Sequence, residues 1–341
     1  MHKKLKIKFV DFTSSPGSLR NIKALISQFY ELDETDNPDW IVYSVFGQEH
    51  LKYNDCVKIF WTGENQAPDF NLCDYALAFE HIELGDRYLR LPLWLLYRND
   101  IERLKVKHIH SQLKDKDSFC SFVYSNSNAA PEREQLFDRL SAYRTVSSGG
   151  RYRNNVGEPV ADKLAFQQHH KFDIAFENTS HDGYTTEKLV QAFAAGTVPI
   201  YWGDPRVGET FNTDSFINCH DYPNFDAVVE RVKEIDGDDA LWQKMVSTPA
   251  LRDAETVDKS MAELDAFIRH IFDQEPHAAR RFSRDYWAVK QLHHRQREVR
   301  AYQRSLAGRF ESFYNNHLHA YLKRHPSLWN IIQRLKRRHA W

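Results

Sequence analysis

The chain of 341 residues carries 46 Lys and Arg against 47 Asp and Glu, which gives a formal net charge of −1 at pH 7. This balance leaves no overall excess of positive charge for nucleic acid, so a charged partner must be bound by a local cluster of side chains. A chain of this length is expected to form two domains, each with its own core. The four cysteines are scattered and show no CxxC spacing, which indicates neither a zinc site nor a disulfide framework but a reducing compartment.

The N-terminal stretch is basic, but its apolar part is too short for a signal peptide. No apolar run reaches the length that a membrane-spanning helix needs. We therefore expect a cytoplasmic protein.

Predicted strands and helices alternate in the first part of the chain. Strands are expected at residues 5–12, 40–46 and 57–61, and residues 22–32 carry apolar side chains at helical spacing. Strand–helix–strand order favours a parallel sheet, so this part predicts a Rossmann-type domain. The strongly charged residues 98–117 are expected to form a helix and a linker.

Alternation starts again at Ser118 and continues to about Phe225, and its most informative part is residues 172–205. Residues 172–176 suit a buried strand, residues 177–183 a polar loop and residues 198–202 the next strand. Between them, Thr185 or Thr186 can cap a helix that ends at Gly196. Ligands bind at the carboxyl ends of parallel strands, where helix N-termini attract phosphates, so this loop is the first candidate site.

Residues beyond about Trp287 are predicted to be helical and basic. No Asp or Glu occurs from Ser312 onward, while Lys and Arg accumulate. Four apolar residues near the end fall at helical spacing: Leu328, Ile331, Ile332 and Leu335. Such a basic amphipathic helix is typical of a membrane-surface anchor, and a helix packed on the rest of the protein is the alternative.

Three acidic or basic positions invite a chemical interpretation from their placement alone. Lys188 falls in the first turn of a predicted helix, where a cation is unfavourable unless an anion binds beside it; the alternative is a side chain in solvent. Glu64 follows a predicted strand, where a carboxylate either reaches a bound hydroxyl or lies in a solvated turn. The DxD motif at residues 236–238 is better explained as a solvated turn than as a metal site.

Four stretches of the sequence, taken together, resemble the bacterial α1,3-fucosyltransferases of glycosyltransferase family 10. They are ENTSHDGYTTEKLVQAFAAGTVPIYWGDP at residues 177–205, TGENQAPDFNLCDYALAFE at 62–80, DRYLRLPLW at 86–94 and SNSNAAPEREQLF at 125–137. They occur in the family's order and cover roughly residues 5–290, which makes the match far more specific than a single glycine motif.

The resemblance implies an α/β fold of GT-B type, with two Rossmann-like domains facing a cleft. Residues 1–112 would bind the acceptor, residues 113–290 would bind GDP-fucose, and residues 291–341 would form a basic helical tail. The implied reaction is an inverting transfer of L-fucose from GDP-β-L-fucose to the 3-hydroxyl of GlcNAc or Glc in a LacNAc-type glycan. The alternatives are α1,3/1,4 transfer to type 1 chains, a GT-B transferase that uses another nucleotide sugar, and a carbohydrate-binding module without catalysis.

The resemblance also assigns roles to individual residues. Glu64 matches the presumed general base, although many relatives have a second Glu where this chain has Gln66; Asp69 and Glu80 are the reserve candidates. The positions that match donor contacts are Arg133, Asn178, Tyr184, Glu187 and Lys188, with Arg153 as a further candidate. Tyr184 equally suits packing under the loop.

The expected partners follow from the same resemblance. They are GDP-fucose and an oligosaccharide or lipid-linked glycan acceptor, with peripheral membrane contact through the tail and no nucleic acid. No metal is expected to be required, and whether Mn²⁺ stimulates turnover is left open.

Overall fold

The computed structural model describes residues 2–13, 16–110, 116–127, 129–283, 286–314 and 318. Within these residues, strands form two separate parallel sheets, as the alternation of strands and helices predicts. The helices are α1 (Pro16–Ser27), α2 (Arg98–His110), α3 (Glu132–Tyr143), α4 (Lys163–Gln168), α5 (Glu187–Ala194), α6 (Phe225–Gly237), α7 (Asp239–Ser247), α8 (Thr256–Phe272), α9 (Tyr286–Arg304) and α10 (Leu306–Phe313).

The first sheet has six strands in the order β2-β1-β3-β4-β5-β6. They are β1 (Lys3–Val10), β2 (Tyr30–Glu34), β3 (Trp40–Tyr43), β4 (Val57–Trp61), β5 (Tyr75–Ala78) and β6 (Tyr88–Arg90). Every neighbouring pair is parallel, and Trp61 of β4 is paired with Leu77 of β5. The carboxyl ends of these strands therefore lie along one edge of the sheet.

The second sheet has five strands in the order β11-β10-β9-β7-β8, again all parallel. They are β7 (Ser118–Phe122), β8 (Val146–Ser148), β9 (His170–Phe176), β10 (Val198–Trp202) and β11 (Ile217–Asn218). The predicted strand–helix–strand unit is confirmed as β9, α5 and β10. Gly196 follows the end of α5 with a φ of +65°, the conformation that glycine adopts without strain at this position.

The helix predicted at residues 22–32 is wrong at its C-terminal end. Helix α1 starts earlier, at Pro16, and ends at Ser27, while Tyr30–Glu34 forms the edge strand β2 against β1. Tyr30 is buried, and its hydroxyl donates a 2.6 Å hydrogen bond to Asp273. Pairing with β1 and this distant contact outweigh the local helical spacing, which extends by chance into the strand.

One hydrophobic cluster joins the two sheets. Buried residues of the first sheet, of α5 and of α8 belong to the same set of contacts. Helix α8 lies within the second predicted domain, yet its Phe272 ring packs 5.0 Å from Trp40 of β3. The predicted domain limits at residues 112 and 290 stay a prediction. The shared core holds the two sheets, and the strand ends that face one another, in a fixed relation.

Helix α9 confirms the prediction of helical structure beyond Trp287 and lies on the first sheet's side of the molecule. Arg295 forms an ion pair with Asp69, and the Gln296 amide donates to the Leu51 carbonyl over 2.7 Å. The predicted membrane-binding helix near residues 326–338 lies outside the described residues, as does the linker at residues 111–115. Among the described residues, no helix combines the length and the apolar character that crossing a membrane requires.

Asp236, which the sequence assigns to a solvated turn, is instead a buried partner in an ion pair. Its side chain is 4% exposed at the end of α6 and lies 2.9 Å from the Lys171 ammonium and 3.1 Å from Arg144. Burial alone would raise the pKa of Asp236, but Lys171, Tyr143 and Arg144 together hold it below its usual range. Asp238 caps α7 by accepting from the Leu241 amide, so the DxD pattern here has a structural explanation.

We expect Asp236→Asn to lower the free energy of unfolding by on the order of 3 kcal/mol, because it leaves the buried Lys171 with only the exposed Asp239, 3.8 Å away, as a counter-charge. The pKa of Asp236 is lower in the folded protein than in the unfolded chain. The loss of stability in the variant is therefore complete at pH values above the pKa of the unfolded chain, and it shrinks as the pH falls through the pKa of the folded protein. Urea unfolding at several pH values measures it. Asp226→Asn, on an exposed residue of the same helix, is the control and should change little. Equal stabilities of the two variants at pH 7 would contradict the expectation.

Candidate active site

The loop after β9 begins with Glu177, whose side chain is completely buried. Its carboxylate accepts hydrogen bonds from the backbone N–H and the hydroxyl of Thr186, both over 2.7 Å, and from the Lys188 ammonium over 3.0 Å. Thr186 is the N-cap of α5 as predicted, but its hydroxyl makes no bond to the helix backbone. Gly203 leaves room for this arrangement, because a Cβ there would lie 2.4 Å from Glu177 Cγ.

Lys188 lies at the start of α5 in a strongly acidic setting. Its side chain is 14% exposed, and its ammonium lies 3.4 Å from Glu187 in addition to its contact with Glu177. Burial alone would lower the pKa of Lys188, but the two carboxylates raise it above its usual value. For Glu187, burial raises the pKa and the ammonium groups of Lys188 and Lys163 lower it, and the net shift is downward. Both Lys188 and Glu187 are therefore charged at neutral pH.

Arg133 of α3 fixes the shape of the same loop through hydrogen bonds to its first residues. Its side chain is 1% exposed, and its Nη2 donates to the backbone oxygens of Phe176 and Glu177 and to Asn178 Oδ1, the last two over 2.9 Å. The guanidinium also lies 3.9 Å from the centre of the Tyr124 ring. Its Nη1 makes a longer bond of 3.4 Å to a backbone oxygen, and its Nε has no hydrogen-bond partner among the residues that the structure describes. Arg133 and Asn178 are thus brought together, while the predicted phosphate contact of Arg133 stays a prediction.

Tyr184 and Arg153 differ in how close they come to this cluster. Tyr184 is 2% exposed and packs edge-on against Phe79 at 4.8 Å between ring centres, so it lies under the loop, as its alternative interpretation has it. Arg153 has a φ of +54°, pairs with Asp138 and covers the Phe137 ring on α3. Within the described part of the chain, no hydrogen bond or ion pair joins Arg153 to Glu177, Glu187 or Lys188.

Glu64 approaches the cluster from the first sheet. It lies on the exposed turn after β4, where its backbone N–H donates to the Thr62 hydroxyl over 2.9 Å. Partial desolvation raises its pKa; Lys188 acts to lower the pKa and Glu187 to raise it, and the net shift is upward. The next residue, Asn65, donates a 2.7 Å hydrogen bond from its Nδ2 to the Thr179 hydroxyl, so the turn that carries Glu64 lies against the loop that leads into α5.

The reserve carboxylates have other partners. Asp69 pairs with Arg295 of α9 and accepts hydrogen bonds from Asn71. Glu80 is 9% exposed, and its Oε1 lies 3.8 Å from Nε2 of His181. Because Asp69 is paired with α9 and Glu80 is nearly buried, the exposed Glu64 is the acidic side chain best placed for chemistry in the cleft.

Two carboxylates that organise the site were missed at the sequence level. Glu177 was assigned only to the start of a loop, although it directly follows a buried apolar strand. Asp204 is 2% exposed and accepts from the backbone N–H of Gly183 and of Arg206, both over 2.8 Å. Glu177 directly follows β9 and Asp204 lies two residues after the end of β10, so an acidic residue at the end of a buried strand is the signal that would have identified them.

The described residues contain no group of three or more His, Cys, Asp or Glu side chains arranged to hold a metal ion. A cation at the start of α5, backed by a buried carboxylate and facing a second carboxylate across the cleft, can bind an anionic group and remove a proton beside it.

Comparison with known proteins identifies the family. Residues 7–97 match the family described as the alpha-(1,3)-fucosyltransferase FucT N-terminal domain, and residues 113–267 match glycosyltransferase family 10 (fucosyltransferase) C-term. The chain belongs to glycosyltransferase family 10. The resemblance seen in the four sequence motifs is thereby confirmed.

Similar proteins include an alpha-(1,3)-fucosyltransferase FucT from Helicobacter pylori, 37% identical over 61% of this chain and 52% of that protein. A bovine 4-galactosyl-N-acetylglucosaminide 3-alpha-L-fucosyltransferase 9 is 32% identical over 38% of this chain and 37% of its own length. The chain thus spans about half the length or less of these relatives.

A crystal structure of α1,3-fucosyltransferase with GDP-fucose is 28% identical to this family 10 chain and aligns with a TM-score of 0.67. The alignment covers 79% of this chain and 91% of that one. The predicted GT-B fold is confirmed by this similarity together with the two parallel sheets.

We expect Glu177→Gln to lower the free energy of unfolding by on the order of 3 kcal/mol, because the amide leaves the Lys188 ammonium without its closest buried counter-charge. Thermal unfolding measures the change. Glu234→Gln, on an exposed glutamate of α6, is the matched control and should stay within about 0.5 kcal/mol of the parent. If Glu177→Gln unfolds at the same temperature as the parent, Glu177 does not support the start of α5 in this way.

Proposed function

We propose that this family 10 protein is an inverting α1,3-fucosyltransferase that moves L-fucose from GDP-β-L-fucose to the 3-hydroxyl of GlcNAc or Glc in a LacNAc-type glycan. The observation that carries the proposal is the hydrogen bond from Asn65 to Thr179, which joins the turn that carries Glu64 to the loop that leads into α5, where Lys188 lies. Glu64 is suited to take a proton and Lys188 to hold an anion, and the reaction needs both at once.

On the donor side, the diphosphate would lie at the N-terminus of α5. The first N–H groups of a helix and its dipole favour an anion there, and Lys188 adds a full positive charge. Glu187, ionised beside Lys188, is placed to accept hydrogen bonds from ribose hydroxyls, and Arg133 with Asn178 shapes the loop that surrounds them. The similar crystal structure is that of an α1,3-fucosyltransferase with GDP-fucose, which supports the same donor here.

On the acceptor side, Glu64 would act as the general base. It takes the proton from the acceptor's 3-hydroxyl as that oxygen attacks the anomeric carbon of fucose and the bond to the GDP oxygen breaks. The β-linked donor becomes an α-linked product, and the negative charge that develops on GDP is stabilised by Lys188. The raised pKa of Glu64 makes it a better proton acceptor than an ordinary surface glutamate.

The choice of acceptor is supported by the names of two relatives. One is called an alpha-(1,3)-fucosyltransferase and the other a 4-galactosyl-N-acetylglucosaminide 3-alpha-L-fucosyltransferase. Both names favour transfer to a 3-hydroxyl over α1,4 transfer to type 1 chains, and the second also names N-acetylglucosaminide as the acceptor. We further propose that the transfer requires no metal, because Lys188 and α5 supply positive charge where the diphosphate departs; added Mn²⁺ tests whether turnover also responds to a metal.

We also propose a peripheral contact with the cytoplasmic face of a membrane through the C-terminal part, which suits a lipid-linked glycan acceptor. Three large apolar side chains of α10 are exposed: Leu306 at 87%, Phe310 at 64% and Phe313 at 53%. They precede the basic residues of the tail in sequence. An apolar face followed by Lys and Arg suits a surface of anionic lipid.

The proposed function is tested by incubating the protein with GDP-fucose and N-acetyllactosamine and measuring released GDP and the linkage of the product. We expect acceptor-dependent GDP release and an α1,3-linked fucose on GlcNAc. Release with another nucleotide sugar but not with GDP-fucose would favour a different GT-B transferase. Glycan binding without release of GDP would favour a binding protein.

We expect Glu64→Gln to lower kcat by about 10²–10⁴-fold while GDP-fucose still binds, because an amide cannot accept the proton. In the parent, the rate should fall as pH falls through the raised pKa of Glu64, so the acidic limb lies above the ordinary glutamate value of about 4.3. Glu83→Gln, on an exposed glutamate of the same sheet's loops, is the control. Near-parental activity of Glu64→Gln would move the base to Asp69 or Glu80.

We expect Lys188→Ala to weaken GDP binding by on the order of 1.5–3 kcal/mol, the range for a hydrogen bond to a charged group. Titration calorimetry with GDP measures the loss. Lys233→Ala removes the same charge from α6, where Lys233 pairs with Glu230, and should leave GDP affinity unchanged. Equal affinities of the two variants would remove Lys188 from the phosphate site.

We expect the full chain to sediment with anionic liposomes at low salt and a chain truncated after Asn316 to sediment less, because the tail's cations are lost. Replacement of Phe310 by Ser in the full chain should give an intermediate result, since it removes one exposed apolar side chain. Equal sedimentation of all three chains would contradict the membrane contact.

A further inference from the structure

The loop at residues 178–184, called the donor loop from here on, is held by the first sheet as well as by its own. Asn65 Nδ2 donates a 2.7 Å hydrogen bond to the Thr179 hydroxyl, and His181 lies 3.8 Å from Glu80. Asn65 and Glu80 both follow strands of the first sheet, while Thr179 and His181 follow β9 of the second. Two side-chain contacts thus join the donor loop to the first sheet.

The far end of the donor loop meets the first sheet through its backbone. Gly183 has a φ of +86°, and a Cβ on it would lie 2.2 Å from the Phe79 carbonyl oxygen. Arg90 donates to the carbonyl oxygens of both Phe79 and Gly183, over 3.0 and 3.3 Å. This end of the donor loop therefore has little freedom to move relative to β5.

The near end of the donor loop is fixed to the second sheet. Asn178 accepts from Arg133 through its side chain and from the Ala130 N–H through its carbonyl, over 2.9 and 2.8 Å. The Ser180 hydroxyl donates to the Gly203 carbonyl over 2.7 Å. Between these anchors, Thr179 is exposed, and its hydroxyl points to the other side of the cleft.

Asn65 is the residue directly after Glu64, and both belong to one compact turn. The Glu64 N–H donates to the Thr62 hydroxyl, and the Gln66 N–H donates to the Glu64 carbonyl over 2.8 Å. A force on the Asn65 side chain is therefore passed to the backbone that carries Glu64. The hydrogen bond to Thr179 is the contact that ties this turn to the donor loop.

We propose that Asn65 and Thr179 are positioning residues whose hydrogen bond sets the Glu64 turn against the donor loop, so that binding of the nucleotide places the base. The inference rests on the proposed transfer reaction and deepens it. Neither residue takes part in the proton transfer. Their contribution is the geometry between Glu64 and the start of α5, which must be accurate for in-line attack.

The proposal predicts where the loss falls in variants. Thr179→Val keeps the shape of the side chain but removes the hydroxyl, and Asn65→Ala removes its donor. Each should lower kcat by about 3–10-fold, the range of one neutral hydrogen bond, with GDP affinity unchanged. The double variant should be no worse than either single variant, because all three lack the same bond. Thr179→Ser retains a hydroxyl and should keep most of the activity.

The experiment measures kcat, the acceptor KM, the GDP dissociation constant and the melting temperature for these variants. Asn71→Ala is the matched control, because Asn71 is also an exposed asparagine of the first sheet's loops but its side chain bonds to Asp69 of the same loop rather than across the cleft. Hydrogen exchange of residues 62–66 with and without GDP gives a readout that does not depend on turnover. GDP should slow exchange there in the parent and in Thr179→Ser, and not in Thr179→Val.

Three results would overturn the inference. In the first, the kcat losses of the two single variants multiply in the double variant. In the second, Thr179→Ser loses as much kcat as Thr179→Val. In the third, a fall in melting temperature or in GDP affinity accounts for the loss of kcat. Failure of the parent to release GDP from GDP-fucose would instead remove the proposed function. In that case the exchange of residues 62–66 on adding GDP decides whether the coupling between the two loops exists.

Discussion

The buried carboxylate of Glu177 is the interaction on which the rest of the cleft depends. Placing a charge in the interior is costly unless its oxygens are paired, and here they are bonded to Thr186 at the start of α5 and to the Lys188 ammonium. The carboxylate thereby fixes the start of the helix and keeps a cation at its N-terminus, where the helix dipole alone would oppose one. Arg133 bonds the carbonyl of the same residue, so loop, helix and cation share one anchor.

The core that the two sheets share is the second feature that keeps the cleft in shape. A cleft between separate units would leave Glu64 and Lys188 at a variable distance, whereas here α5 and α8 belong to the same apolar cluster as the first sheet. The close packing of Gly183 on Phe79 fixes the cleft from the polar side as well. Chemistry that needs a base on one sheet and a cation on the other is thus supported by packing that is independent of any ligand.

Sequence reasoning predicted the parts of the molecule whose causes are local. The unit of β9, α5 and β10 has an apolar strand, a capped helix and a terminal glycine close together in sequence, and it was found as predicted. The predicted end of α1 was wrong because Tyr30 bonds to Asp273, which lies far away in sequence. Asp236 was wrongly assigned to solvent because its partner Lys171 is also distant in sequence. Glu177 was missed for a different reason: Thr186 and Lys188 are near it in sequence, but they bond to its carboxylate only when the loop closes on the helix. The family motifs pointed to Glu64 and Lys188, but the influence of neighbouring charges on their pKa values could be seen only in the folded structure.

The course of α8 has a consequence for dividing the protein. This helix comes late in the chain, yet its side chains Phe267, Ile271 and Phe272 complete the core around Trp40 and Tyr75. A fragment that ends between the two sheets would expose that apolar surface to water. A chimera that takes the first sheet from a relative must therefore take α8 from the same relative. Because α8 comes late in the chain, such a chimera needs two exchanged segments rather than one.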